Sequence, residues 1–287
     1  AEITMEANPG TVSPEQLKLC HEAGINRISF GLQSTVQQEL DMLGRIHTYE
    51  EFLQSYHWAR KAGFSNINVD LMFAIPGQTC ENWKHNLETI AELSPEHISA
   101  YSLIIEEGTP FAQKKLILPT EDEEYQMYED TAEILRKYGF HQYEISNYAR
   151  DGFECRHNKG YWQRTEYLGA GLGAASLFQG KRFSNTRDMQ TYLADSTEPE
   201  KIREDVTALS RNNEIEEFMF LGLRMTEGIS ERQFERNFGC RIEDIYGSVL
   251  AKYKEMDLLE HTGEFWRFTR KGIHVSNPIL ADFLLDE

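Results

Sequence analysis

The feature that most constrains this chain is a regular alternation of strands and helices over residues 1–150. Short apolar strands are predicted at 2–7, 27–33, 67–73 and 97–103, and helical patterns separate them. Strands that recur about every 25–40 residues with helices between them are typical of βαβ units. We therefore expect an α/β fold with a parallel sheet, either open or closed into a barrel.

Helix starts are marked by capping boxes, in which Ser or Thr is followed three residues later by Glu or Gln. The pairs are Ser13 and Gln16, Thr48 and Glu51, and Thr120 and Glu123. A fifth strand is predicted at 142–147, after the helix that the third pair begins.

The third strand and the turn after it, 67–79, contain a single acid, Asp70. The strand otherwise reads as apolar on both faces, which is typical of a strand covered on both sides. Because burial of an unpaired carboxylate is costly, Asp70 either has a partner inside the protein or faces a cavity where a polar ligand supplies one. In parallel α/β folds such a cavity lies at the carboxyl ends of the strands.

Three further polar residues are expected at those strand ends. Glu6 ends the first strand, Gln33 ends the second, and Arg45 follows at a break between two helices. Together with Asp70 they would suit a zwitterionic ligand, since carboxylates bind an ammonium group or hydroxyls and a guanidinium binds a carboxylate. The alternative is that Glu6 and Arg45 form a structural ion pair. A plain α/β barrel enzyme acting on a sugar or phosphate is also compatible with an acid at this rim.

The pattern changes after residue 148. Residues 150–185 are rich in glycine and aromatic residues, and 195–207 is the most linker-like stretch. From about 212, three helical segments and a hairpin follow one another in the order of a winged-helix domain. We predict three regions: a partial (β/α) barrel at 1–150, a connecting segment at 151–210 and a C-terminal α+β domain at 211–287.

A second candidate site lies in the connecting segment, where the sequence reads H-N-K-G-Y-W at 157–162. A histidine next to aromatic residues could bind a heme iron, with Tyr161 and Trp162 stacking on the macrocycle. The alternative is a turn in which His157 and Asn158 bond to the backbone and Trp162 packs. The glycine run at 169–176 matches a phosphate loop poorly, and close backbone packing is the more plausible use of its glycines.

Composition excludes some functions and leaves others open. The net charge of −18 opposes a long nucleic-acid interface, which needs clustered Lys and Arg. No apolar run approaches the ~20 residues of a membrane span. The four cysteines, at 20, 80, 155 and 240, share no metal-ligand spacing and are expected to be reduced thiols in the cytoplasm.

The same residues carry a family resemblance that extends over essentially the whole chain, in order. The motifs that carry it are E-A-N-P-G-T (6–11), R-I-S-F-G-L-Q-S (27–34), L-G-R-I-H (43–47), N-V-D-L-M-F-A-I-P-G-Q-T (68–79), Y-E-I-S-N-Y-A-R (143–150) and H-N-K-G-Y-W (157–162). Together they resemble the HemW family, radical S-adenosylmethionine (SAM) proteins regarded as heme chaperones and related to oxygen-independent coproporphyrinogen III oxidase.

The resemblance implies roles for named residues. The family's SAM-contacting residues fall on Glu6, Gln33, Arg45 and Asp70, with a backbone contact to the adenine near Ile104. Its proposed heme-binding motif falls on His157, Asn158, Tyr161 and Trp162.

The resemblance also implies a function. The protein would bind heme as cargo and transfer it to a heme-requiring acceptor, which could itself be membrane-associated, and the oligomeric state stays open. The alternative is the oxidase reaction, the decarboxylation of coproporphyrinogen III propionates.

The chain departs from the family pattern in two places. The C-x-x-x-C-x-x-C motif for a [4Fe–4S] cluster and the G-G-G-T-P loop are absent, so the resemblance implies a partial barrel without its first units, about 80–90 residues. The cluster would then belong only to the full-length parent, with no metal ligands and no radical chemistry expected in this chain. In addition, Ala175 stands where many relatives have histidine.

Overall fold

The structure is a computed structural model that describes residues 1–109 and 111–285. It divides into two compact units, Ala1–Arg156 and His157–Glu287. Each unit has its own hydrophobic core.

The first unit is a six-stranded sheet with helices against it. Its strands are β1 (Thr4–Ala7), β2 (Arg27–Gln33), β3 (Ile67–Phe73), β4 (His97–Ser102), β5 (His141–Glu144) and β6 (Asn147–Ala149). Its helices are α1 (Pro14–Glu22), α2 (Gln37–Met42), α3 (Tyr49–Ala62), α4 (Cys80–Glu92) and α5 (Glu121–Lys137). The strand order is β1-β2-β3-β4-β6-β5, with β1 to β4 parallel. The predicted α/β fold with a parallel sheet is confirmed.

Local sequence explains where these helices begin. The three predicted capping boxes are present at α1, α3 and α5, where the hydroxyl of Ser13, Thr48 or Thr120 accepts the backbone N–H three residues on. Helix α3 ends at Gly63, which is left-handed and so suits glycine.

The fifth predicted strand, 142–147, is wrong in detail. It is interrupted at Ile145 and Ser146, and two short antiparallel strands, β5 and β6, replace it. The turn is held by Glu144, whose Oε1 accepts hydrogen bonds from the Ser146 backbone N–H (2.9 Å) and the Asn147 amide (2.5 Å). Strand β6 then pairs antiparallel with β4.

The prediction that β3 is apolar on both faces is also wrong. Ile67, Val69 and Leu71 face the helices and are fully buried in the first core. The alternate residues are Asn68, Asp70 and Met72, so the opposite face is largely polar. The strand therefore has the one-sided pattern of a sheet with an apolar outer face and a polar inner face.

The second unit contains two three-stranded sheets and seven short to medium helices among its described residues. The helices are α6 (Arg156–Trp162, beginning at the boundary), α7 (Met189–Asp195), α8 (Arg211–Gly222), α9 (Glu231–Phe238), α10 (Ile242–Glu255), α11 (Arg270–His274) and α12 (Ser276–Ala281). The strands are β7 (Ala175–Phe178), β8 (Lys181–Asn185), β9 (Arg203–Ala208), β10 (Ile229–Ser230), β11 (Leu259–Thr262) and β12 (Phe265–Phe268).

The end of the chain is winged-helix-like, as predicted, with α8, α9 and α10 followed by the hairpin β11–β12. The linker interpretation of 195–207 is wrong, because this stretch holds a 3-10 turn (Pro199–Lys201) and most of β9, which pairs with β8. Across the described residues, no helix combines the length and apolar character that a membrane crossing requires.

Candidate functional site

The inner face of the first unit's sheet carries a cluster of polar side chains. Parallel register places Glu6 beside Ser29, Ser29 beside Asn68, and Asp70 beside Ser99. Residues paired in this way point to the same face of a sheet. The polar residues of four different strands therefore meet on one surface.

Asp70 is the charged centre of this surface. Its Oδ1 accepts a hydrogen bond from the Asn68 amide (2.7 Å) and its Oδ2 accepts one from the Ser29 hydroxyl (3.2 Å). Burial raises the pKa of Asp70, hydrogen bonds from Asn68, Ser99 and Ser29 oppose that rise, and the charge of Glu6 adds to it. Asp70 thus has internal partners, and all the partners the structure gives it are neutral.

Gln33 lies at the end of β2 in an unusual backbone conformation. Its φ is 75° and its side chain is almost fully buried. Positive φ is uncommon for a residue other than glycine and often marks a functional constraint. The Tyr101 hydroxyl donates a hydrogen bond to Gln33 Oε1 (2.9 Å), which leaves the Gln33 NH₂ group as the end available to a ligand.

Arg45 reaches the same region from the segment after α2. Its Nη1 donates to Asn8 Oδ1 at 3.4 Å. Within the described part of the chain, Arg45 forms no ion pair with Glu6, so the structural-pair alternative is wrong.

Tyr101 reports how close these groups lie to one another. Burial raises the pKa of Tyr101 to about 12, and the negative charges of Asp70 and Glu6 contribute to the rise. The hydrogen bond with Gln33 and the positive charge of Arg45 act in the opposite direction. The pKa of the Tyr101 hydroxyl therefore depends on all four polar residues expected at the strand ends.

Sequence reasoning missed Tyr101 and Asn8. Tyr101 lies two residues beyond Ser99 on β4, so the period of two that places alternate residues on one face could have identified it. Asn8 follows β1 two residues after Glu6 and could have been found by the same rule. Ile104 lies two residues beyond the end of β4, and its side chain is 78% exposed.

A buried network supports the strand ends beside the polar surface of Glu6, Gln33, Arg45 and Asp70, which we call the mouth of the sheet. The Glu39 carboxylate, on α2, accepts hydrogen bonds from Ser34 (2.6 Å), Gln78 (2.9 Å) and Asn86 (3.1 Å). These partners come from the segments that follow β2 and β3 and from α4. Because each donor would otherwise be buried without a partner, the network holds the two loops in place.

The cysteines do not form a cluster site. Cys20 lies on α1, Cys80 begins α4, Cys155 precedes α6 and Cys240 lies in the second unit. Among the residues described, no three or more His, Cys, Asp or Glu side chains are grouped so that they could hold a metal ion. The residues that the structure describes therefore do not fit an iron–sulfur cluster.

The H-N-K-G-Y-W segment forms helix α6 rather than the turn of the alternative interpretation. His157 and Tyr161, four residues apart, contact each other edge-on with ring centroids 4.4 Å apart. Tyr161 also contacts Tyr167 at 4.6 Å. His157 and Tyr161 are both exposed, so they present an imidazole and an aromatic ring together at the surface of this unit.

Trp162 is placed differently from His157 and Tyr161. Its ring lies under the Arg224 guanidinium, 4.4 Å from the centroid, and it lines a cavity of about 270 Å³ with Phe218, Ile229 and Phe265. The structure therefore groups His157 with Tyr161 and assigns Trp162 to packing inside the second unit. Asn158 is half-buried.

Of the glycines in the run at 169–176, Gly169 is used for close backbone packing, as expected, whereas Gly171 and Gly173 have positive φ without a close backbone neighbour. A side chain at Gly169 would overlap the backbone of Ala174 and Ala175. Ala175 itself begins β7 and is exposed.

Comparison with known proteins agrees with this architecture. The family model described as the Radical SAM superfamily matches residues 1–90, and the model described as the HemN C-terminal domain matches residues 209–275. The curated protein "Heme chaperone HemW" of Lactococcus lactis is 39% identical over all of this chain and 76% of its own length. The protein of the same name from Bacillus subtilis is 38% identical over 99% of this chain and 76% of its own length.

A solved structure shares the fold. Coproporphyrinogen III oxidase from Escherichia coli, described as a radical SAM enzyme, aligns with a TM-score of 0.85 over 99% of this chain and 70% of that one. At 22% identity the likeness shows the fold alone. The two family models, matched at opposite ends of the chain, and the full-chain identity to curated relatives lead to one conclusion: this chain belongs to the HemW family of radical SAM proteins.

Proposed function

We propose that the mouth of the first unit's sheet binds SAM. The observation that carries the proposal is geometric: strand register puts Glu6 and Asp70 on one face of the sheet, where Gln33 bonds to Tyr101 and Arg45 bonds to Asn8. SAM presents an ammonium group, a carboxylate and ribose hydroxyls, which match two acids, a guanidinium and an amide.

The space for a ligand is supported by Gly31 on β2. A Cβ at Gly31 would lie 3.3 Å from Gln33 Nε2 and 3.7 Å from Asn8 Oδ1. Glycine therefore leaves room between two polar groups that face the mouth. This cradle is compatible with close approach of a ligand to the backbone.

Each residue then has a role that its chemistry allows. Glu6 and Asp70 would accept hydrogen bonds from the ammonium group or the ribose, and Arg45 would bind the SAM carboxylate. Gln33 would donate through its NH₂ group, and Ile104 would offer its backbone to the adenine. When bound, SAM would supply the radical chemistry that names the superfamily, and these residues would bind and orient it.

We further propose that the protein is a heme chaperone, which holds heme and transfers it to a heme-requiring acceptor protein. The proposal is supported by curated relatives named heme chaperones and by the exposed pair His157 and Tyr161. An exposed imidazole can bind a heme iron, and an adjacent aromatic ring can pack against the macrocycle. Asn158 and Trp162 would shape α6 rather than touch heme.

The SAM proposal is tested by calorimetric titration of the chain with SAM. We expect Arg45→Lys and Glu6→Gln each to weaken binding about tenfold, since the first loses the bidentate guanidinium–carboxylate pair and the second loses a charge-assisted hydrogen bond. Glu22→Gln, an exposed acid on α1, is the matched control and should leave affinity unchanged. Equal affinity in all four proteins would contradict the assignment.

The heme proposal is tested by titration with hemin, followed by the Soret absorption. His157→Ala should abolish the spectrum of a histidine-ligated heme, whereas His57→Ala, an exposed histidine of the first unit, should not. Trp162→Phe should retain binding if its ring packs internally. Loss of the spectrum in Trp162→Phe, with His157→Ala unaffected, would reverse the assignment.

The oxidase reaction has less support in this chain. The likeness to the Escherichia coli oxidase rests on fold at 22% identity, while the full-chain relatives at higher identity have the chaperone name.

A further inference from the structure

A chain of buried polar groups runs beneath the proposed SAM site within the first unit. Its members are Asn68 on β3, His97 on β4 and Tyr143 on β5, which are 2%, 0% and 5% exposed. His97 Nδ1 lies 2.5 Å from Asn68 Oδ1, and His97 Nε2 lies 2.9 Å from the Tyr143 hydroxyl. One end of the chain is Asp70 and the other is the backbone N–H of Cys155.

The direction of these hydrogen bonds follows from which partner of Tyr143 can accept its hydroxyl hydrogen. A backbone N–H can only donate, so Tyr143 accepts from Cys155 (3.3 Å). The hydrogen of the Tyr143 hydroxyl then has His97 Nε2 as its acceptor within the described residues. His97 Nε2 is therefore unprotonated.

His97 is neutral, so its single ring proton lies on Nδ1. Burial lowers the pKa of His97 well below its usual value of 6.5, and the positive charge of Arg27 lowers it further. Nδ1–H then donates to Asn68 Oδ1, which also accepts from the Ser99 hydroxyl (3.2 Å), and the two donors together fix the orientation of the Asn68 amide. The Asn68 NH₂ group must point to the other side.

That NH₂ group makes two hydrogen bonds at the proposed ligand site. It donates to Asp70 Oδ1 (2.7 Å) and to Ser29 Oγ (2.8 Å), and the Ser29 hydroxyl donates in turn to Asp70 Oδ2 (3.2 Å). Both oxygens of Asp70 are thus presented with donors. Such an arrangement favours the carboxylate, which only accepts, over the acid.

We propose that His97 is a positioning residue for Asp70: held as the neutral Nδ1–H tautomer by Tyr143, it fixes the Asn68 amide so that Asp70 is oriented and kept ionised for the ligand. The inference deepens the proposed SAM function, since it names what prepares one of the ligand-binding acids. His97 is connected to Asp70 through Asn68, so it would act on the site without touching the ligand.

The first test is the ring-nitrogen spectrum of ¹⁵N-labelled histidine in the whole chain at pH 7. His97 should show a protonated Nδ1 and an unprotonated Nε2. His47 supplies an internal control of opposite sense, because its Nε2 lies 3.1 Å from the Leu32 carbonyl oxygen and must be the protonated nitrogen. A His97 ring protonated on Nε2, or on both nitrogens, would overturn the proposal.

The second test follows the ¹³C carboxyl resonance of Asp70 as a function of pH. His97→Phe removes both ring hydrogen bonds, so Asp70 should protonate at a higher pH than in the unsubstituted chain. His97→Gln, which retains a donor and an acceptor, should restore the original titration. Identical Asp70 titrations in the unsubstituted chain and His97→Phe would show that His97 has only a packing role.

SAM affinity gives the functional readout. We expect about tenfold weaker binding in His97→Phe and no more than about threefold in His97→Gln, the range that one or two buried hydrogen bonds produce. Should the unsubstituted chain bind no SAM, the proposed function fails. The histidine spectrum and the Asp70 titrations would still decide the positioning role separately. The histidine spectrum uses only the unsubstituted chain, so it does not depend on whether a variant folds.

Discussion

At the scale of single residues, the Tyr101 hydroxyl orients the Gln33 side chain beside the charged residues of the site. Its hydrogen bond to Gln33 Oε1 decides which end of that amide faces the mouth. Gln33 lies in a strained backbone conformation with φ of 75°, so the bond also holds a residue that would otherwise relax. Tyr101, although uncharged, thus determines that Gln33 presents a hydrogen-bond donor rather than an acceptor to the ligand.

Removal of this hydroxyl provides a direct prediction. Tyr101→Phe frees the Gln33 amide to rotate, so we expect SAM affinity to fall about five- to tenfold with a stability loss of about 1 kcal/mol. Titration calorimetry and urea unfolding measure the two effects. Tyr56→Phe is the control, because that hydroxyl bonds to the Leu93 carbonyl and Arg60 instead; it should cost similar stability and leave affinity unchanged.

Residue-level predictions from sequence were successful where the reason was local or chemical. Asp70 stood out because it is the only charge in an apolar strand, and it lies at the centre of the polar face. Trp162 was grouped with His157 by its position in a motif, whereas a helix turns neighbouring side chains to different sides. Packing of Trp162 was the alternative interpretation, but its partner Arg224 could not be predicted, since the two residues are far apart in sequence.

At the scale of elements, the carboxyl end of β2 combines several unusual features. The register between β2 and β3 shifts between Phe30 and Gln33, so the pairing of the two strands is irregular there. Gly31 lies within this irregular segment, and irregularities such as β-bulges often re-aim side chains beside functional sites. The strand end is therefore shaped to turn Gln33 toward the mouth.

The absence of a side chain at Gly31 should be required for ligand binding more than for folding. Gly31→Ala places a methyl group 3.3 Å from Gln33 Nε2 and 3.7 Å from Asn8 Oδ1. We expect at least tenfold weaker SAM binding with a change in melting temperature of only a few degrees. Unchanged affinity would show that the space beside Gly31 is not part of the proposed site.

A matched glycine serves as the control for that substitution. Gly247 lies within α10, and the nearest atom to a Cβ there is 3.8 Å away. Gly247→Ala should stabilise the helix by up to about 1 kcal/mol and leave SAM binding unchanged.

At the scale of the whole molecule, the chain consists of two units with separate cores. The first core surrounds the outer face of the parallel sheet, and the second gathers aromatic residues of α8, α9 and the C-terminal hairpin. The proposed SAM site belongs to the first unit and the His157–Tyr161 pair to the second. SAM binding can therefore be tested by substitutions in the first unit, and heme binding by substitutions in the second.

Separate cores predict separate responses to core substitutions. Phe52 and Phe234 are both fully buried, one in each core. Phe52→Ala and Phe234→Ala should each cost about 3–5 kcal/mol and lower the melting temperature of one unit by roughly 10 °C. Scanning calorimetry should resolve two transitions, with each variant moving a different one; a single transition that both variants move equally would contradict this.

Sequence by itself determined the alternation of strands and helices, the capped helix starts and the polar residues at the strand ends, because these depend on neighbours a few positions apart. Tertiary structure decided that Tyr101 bonds to Gln33 and Arg45 to Asn8, that 142–147 forms a hairpin, and that Trp162 packs under Arg224. These outcomes depend on strand register and on packing between segments distant in sequence. Such long-range contacts leave no periodic signal in the chain, since the free energy that selects them comes from burial and hydrogen bonding available only in the folded unit.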